Sequence, residues 1–186
     1  MHLSEGRNSP ERANQRRGLT LQLSGLIMVV AWALVAQAQD ASVIQQPIFK
    51  LERSKNSKVV QYDIRLSADR RPIAGDPIAC YWLREDGSIA PLKRFQRAAY
   101  GFDATCSEAC EVVTIEMKAN IGRLVRVYEI DGVYRAETEI AGERALIERI
   151  YIQSTERRFL WPRVDYIDFE GTDVATGERR SERYVP

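Results

Sequence analysis

GRLVRVYEIDGVYRAETEI, Gly122 to Ile140, is the stretch that decides the fold. Its two arms alternate apolar and polar residues with a period of two, which places one apolar face on each of two strands. Asp131-Gly132 separates them by the two residues that a tight hairpin turn prefers. The same period recurs upstream in IFKLER, in KVVQYDIRL (Val60, Tyr62, Ile64 and Leu66 on one side) and in EVVTIEMK. Downstream it continues in RALIERIYIQ, after an Ala141-Gly142 turn, and in VDYIDFEG, where Ile167 and Phe169 stand opposite Tyr166. RALIERIYIQ mixes strand and helix spacing, and its β-branched residues favour a strand.

Punctuation fits the same scheme. Ser54 to Ser57 joins two strands as a hairpin whose lysines stay in water. Ala68 to Pro77 is a loop marked by two prolines and a glycine. PIACYWLRE is apolar or aromatic at nearly every position and reads as a core strand covered on both faces. PLKRFQRAAYG sets Leu92, Phe95 and Ala99 at helical spacing between Pro91 and Gly101, which predicts a short helix. Thr155 to Pro162 reads as a charged loop, and the tail as a turn at Thr176-Gly177 followed by a short polar edge strand whose charges discourage aggregation. The expectation is an all-β fold, mainly antiparallel: a single-domain β-barrel or β-sandwich of about eight strands with one short helix.

Before this domain lies an arginine-bearing segment followed by LTLQLSGLIMVVAWALVA, Leu19 to Ala36, without a charge, and the small-x-small sequence Ala36-Gln37-Ala38. Residues 1–38 therefore read as a signal peptide. Residues 39–47 read as a flexible lead and 48–186 as the β-rich domain. The expected location is periplasmic or secreted, by the general route or, given Arg16-Arg17, the twin-arginine route. A retained signal would make it a membrane anchor.

Removing 38 of the 186 residues leaves 148, enough for one core. The removed part holds four arginines and two glutamates, so 23 basic and 24 acidic residues remain, a net charge of −1. That near-neutral balance excludes nucleic acid as a partner. The single histidine, His2, lies in the signal. Without an imidazole the mature chain cannot build a Ser-His-Asp or Cys-His nucleophile, and typical catalytic zinc sites are excluded as well. No metal and no cofactor is expected. Cys106 and Cys110 are spaced to close a small disulfide loop if the chain bends enough, while Cys80, in PIACYWL, is expected as a buried thiol that packs as a small hydrophobe.

Four stretches in order, FKLERSKNSKVVQYDIRL (Phe49–Leu66), PIACYWLREDG (Pro77–Gly87), RAAYGF (Arg97–Phe102) and IDFEGTDVATGERRSERY (Ile167–Tyr184), resemble the bacterial family known as domain of unknown function 4833. The resemblance implies a small exported bacterial domain without an assigned activity, and it carries over no catalytic residue.

Aromatic residues concentrate at Tyr81-Trp82, Tyr100-Gly101-Phe102 and Trp161. Gathered inside a barrel with Tyr62 and Arg53, they would make an apolar pocket with polar fixing groups, so Arg53, Tyr62, Tyr81, Trp82, Tyr100 and Trp161 are the candidate ligand-binding residues. The competing reading is a plain aromatic core. Asp165, Asp168, Glu170 and Asp173 suggest carboxylate-pair hydrolysis of cell-envelope polymers. Against this, Asp165 and Asp168 would point to opposite faces of a strand. A non-catalytic binding domain for a small molecule, a glycan or an envelope protein is the favoured reading, with a carboxylate-dependent hydrolase as the alternative.

Overall fold

The computed structural model describes residues 43–54, 56–118, 123–157 and 160–186, with the backbone alone for 56–58, 156–157 and 160–162. The quoted hairpin is there: β7 (Leu124–Ile130) and β8 (Val133–Ile140) pair antiparallel from Ile130–Val133 back to Arg126–Glu137. Asp131 at φ 51° and Gly132 at φ 77° give the left-handed pair that a right-twisted two-residue hairpin requires. Ala141 and Gly142 repeat the device at φ 54° and 81°, and the chain turns into β9 (Glu143–Arg157). The other hairpin also forms, between β1 (Ile44–Arg53) and β2 (Asn56–Leu66), with Arg53 opposite Asn56.

The remaining elements are β3 (Ile78–Leu83), β4 (Ile89–Pro91), α1 (Arg94–Tyr100), β5 (Phe102–Cys106), β6 (Val112–Met117), β10 (Leu160–Asp173) and β11 (Arg179–Tyr184). Together the strands form one curled, mixed sheet of 11 strands, mainly antiparallel, shaped as a half-barrel. This corrects the expectation of about eight strands in a closed barrel or a sandwich. The extra strands are β4, three residues long and too short to display a period, and β5, whose five residues do alternate.

The curl originates at β9. One edge pairs with β10 from Ala145 to Arg157. The opposite edge is shared in succession, first by β8 at Glu143–Leu146, then by β1 at Arg149–Ile152. The β1 pairing is parallel, the one parallel pair among the described strands of a mainly antiparallel sheet. Two wings, β1-β2-β3-β4 and β8-β7-β6-β5, thus leave the same edge of one strand and fold toward each other. Between them Gln46 bridges the wings, donating to the Tyr134 carbonyl and accepting from the Tyr134 amide. This explains why the lead expected to be flexible through Pro47 is strand from Ile44 onward.

β9 and β10 also run into the segment expected to be a loop, through Arg157 and from Leu160. At Gly171 the two backbones approach so closely that a Cβ would lie 2.3 Å from the Leu146 carbonyl oxygen.

Inside the curl, Leu51, Val60, Tyr62, Ile64, Leu66, Val113, Ile115, Val125, Val127, Ile150 and Phe169 are buried. Each such side chain contributes about 1.5–3 kcal/mol on leaving water. On the outer face Arg149 donates to Glu52 on β1 and to Glu170 on β10, both at 2.7 Å, and ties three strands together. The helix differs from its predicted amphipathic face. Leu92 is buried, but it precedes α1, and Phe95 is 60% exposed.

Candidate functional site

Four of the six residues singled out from sequence meet around Tyr100, the last residue of α1. Trp82 and Tyr100 pack edge to face with centroids 5.5 Å apart. Arg53 donates to the Tyr100 hydroxyl, its guanidinium 5.5 Å from that ring's centre. The Tyr62 hydroxyl donates to the Tyr100 carbonyl at 2.6 Å, and the Tyr62 ring stacks on Phe49 at 4.5 Å. Trp82 Nε1 donates to Gln96 Oε1 at 3.0 Å, and the same oxygen accepts the Lys93 amide at 2.8 Å, so the helix start is fastened to the indole. Burial pushes the Tyr62 phenol well above its ordinary value, and it acts as a neutral donor.

Tyr81 does not join this group. Period two sends it to the opposite face of β3 from Trp82, where its hydroxyl donates to Asp63 Oδ2 at 2.5 Å. Asp63 is buried, and burial raises its carboxyl against the lowering effect of that hydrogen bond. The side chain of Trp161 lies outside the described residues.

The gathered aromatics fill space and do not line an opening. The opening lies beside them, at the seam where the curl fails to close. β4 pairs with β3 only at Tyr81–Leu83, which leaves the Ile78–Cys80 edge open. Among the described residues, β5 pairs with β6 alone. Between these edges is a cleft of about 550 Å³. Its apolar lining is Ile78, Cys80, Leu92 and Phe102. Its charged lining is Arg65, Arg97, Lys118 and Asp76.

Arg65 pairs with Asp76. Lys118 reaches Asp103 at 3.2 Å, an exposed carboxylate outside the cleft. Arg97 uses Nε on the Leu92 carbonyl and, among the described residues, meets no carboxylate. The Nε of Arg65 is buried without a partner. Burial pushes the Cys80 thiol up to about 12, so it stays protonated and is a lining group, half-buried, with Sγ 3.6 Å from the Tyr100 carbonyl. Sequence reasoning missed these three cations. They come from β2, α1 and the end of β6, and only the tertiary fold brings them together.

A second cleft, about 660 Å³, lies between the β2–β3 loop and the far wing. Its charges are mixed, with Arg70 and Arg71 beside Asp69, Glu111 and Glu129. Cys110, on its wall, is disulfide-bonded to Cys106 with the Cα atoms 4.6 Å apart.

The C-terminal carboxylates are each occupied structurally. Asp168 takes a two-point contact from Arg183 at 2.7 and 2.8 Å, and Glu170 holds Arg149. Asp173 accepts the amides of Ala175 and Thr176 and pairs with Arg180, and Asp165 accepts from Thr155. Hydrogen bonds from Arg183 and from the turn amides hold Asp168 and Asp173 below the usual carboxylate range, the opposite of what a general acid needs.

Fold and cleft together define an open β half-barrel with a cation-rimmed seam. The family model described as Domain of unknown function (DUF4833) matches residues 49–183, and the chain belongs to that family. No curated protein and no solved structure matches the chain.

Proposed function

We propose that the chain is an exported, non-catalytic binding domain whose ligand occupies the seam cleft. The observation that carries this reading is the cleft itself: two open strand edges flank a space of about 550 Å³ with a mixed apolar and charged lining, within the roughly 300–1,000 Å³ of small-ligand sites. The absence of histidine from the chain after residue 38, the protonated Cys80 and the structurally occupied C-terminal carboxylates support binding over catalysis. Export rests on the signal-like residues 1–38.

Native mass spectrometry of the protein recovered from the exported fraction of its host tests both parts. The expected result is a chain starting at Gln39 that carries a reproducible small-molecule adduct. A bare mass in every preparation counts against ligand binding, and a mass that retains residues 1–38 counts against cleavage.

A further inference from the structure

Resting on that reading, we infer that the seam cleft takes an amphiphilic anion: an apolar body with a single carboxylate or phosphate head. Charge carries the argument. A chain of nearly balanced charge places three cations and one carboxylate around this cleft, and that carboxylate, Asp76, is already held by Arg65. Arg97 has no acidic partner among the described residues. Lys118 is answered by a largely exposed aspartate that does not line the cleft, a pair easily exchanged for a ligand anion.

Beneath these groups, Ile78, Leu92, Phe102 and the neutral Cys80 offer no charge to a ligand. Fixed donors beside such a floor hold an anion more strongly than the same donors in open water. The second cleft is the internal contrast, because its two arginines sit among three carboxylates. Anion selectivity therefore distinguishes the seam from this second cleft.

The experiment is a calorimetric titration of the mature chain, below micellar concentrations, with decanoate, decyl phosphate, decanol, decyltrimethylammonium and inorganic phosphate. Decanoate and decyl phosphate should bind at least about tenfold more tightly than decanol, as expected for one charge-assisted contact. Decyltrimethylammonium and inorganic phosphate should be weaker still. Arg97→Gln and Lys118→Gln should each lower decanoate affinity about tenfold at unchanged Tm, by the same conversion, while Arg70→Gln in the other cleft should leave it unchanged.

Decanol binding as tightly as decanoate would overturn the anion assignment and leave the seam as an apolar site. Inorganic phosphate binding as tightly as decyl phosphate would overturn the amphiphile. If every probe fails to bind, the amphiphilic-anion assignment falls, while the binding reading itself stands or falls on the co-purified adduct.

Discussion

β9 and the seam are opposite solutions to the same problem of strand edges. β9 is bonded on both sides, to β10 along one edge and to β8 and then β1 along the other. At the seam, β3 and β5 each keep an open edge and face a cleft. The residues differ accordingly. Around β9 stand Ile147, Ile150, Ile167, Phe169 and a glycine that permits backbone contact, whereas the seam is rimmed by Arg65, Arg97 and Lys118. Stability is concentrated where pairing is complete, and the proposed binding cleft lies where it is not.

The sharpest way to break this comparison is at β9. Gly171→Ala forces a Cβ against the Leu146 carbonyl, so the two strands must separate. A loss of about 3 kcal/mol or more is expected, at the upper end for overpacking, read from the urea midpoint. A loss under about 1 kcal/mol, within the range of an ordinary surface change, would mean that β9 is not the rigid spine of the curl. Near the seam, Tyr62→Phe removes one buried hydroxyl and leaves the Tyr100 carbonyl with only the distant Cys80 thiol. About 1–3 kcal/mol is expected there. No change would show that α1 is held without that bond.

Smaller effects separate the two regions by pH. Arg144 holds the buried Glu137 of β8 below the ordinary 4.5 with contacts at 3.0 and 2.7 Å. A depressed folded value means stability that is present above pH 4.5 and lost as pH falls through the folded value. Glu137→Gln should remove part of the acid sensitivity of unfolding between pH 5 and 2, and an unaltered pH profile would deny the pair a role.

Asp63, on β2 toward the seam, has the opposite sign. Burial raises its carboxyl above the ordinary 3.8, so its ionisation at neutral pH opposes folding. Asp63→Asn, which can still accept from Tyr81, should raise Tm at pH 7 and change it little at pH 3. A lower Tm at pH 7 would show that the ionised group has a partner in solution.

Legibility followed locality. Hairpins whose partners are adjacent in sequence, β7 with β8 and β1 with β2, were readable because period and turn chemistry agree. β4 was not, at three residues, whereas β5 does alternate across Phe102–Cys106, a run short enough to be missed between the helix and the cysteine loop. The parallel β1–β9 pairing left no local trace at all. Within the site, Trp82, Tyr100, Tyr62 and Arg53 were identified by aromatic clustering and do gather, but as packing. Tyr81 was misassigned although the needed signal was present: adjacent residues of a strand face opposite sides. Arg65, Arg97 and Lys118 carried no signal, because an arginine on the polar side of a strand or on a short helix looks like ordinary surface.

The shared edge of β9 also sets a timetable. Leu51 waits for Ile150, 99 positions later in the chain. A β-hairpin closes in roughly 1–10 µs. Whether the chain emerges from a ribosome at roughly 5–20 residues per second or threads through an export channel, β1 and β2 arrive well before β9, so their hairpin passes that interval with one edge unsatisfied. β1 carries Lys50, Glu52 and Arg53 in the register that later pairs with β9, charged residues of the kind that discourage a stray strand from pairing first. The same side chains that look incidental in the finished sheet guard the chain while it is still being made.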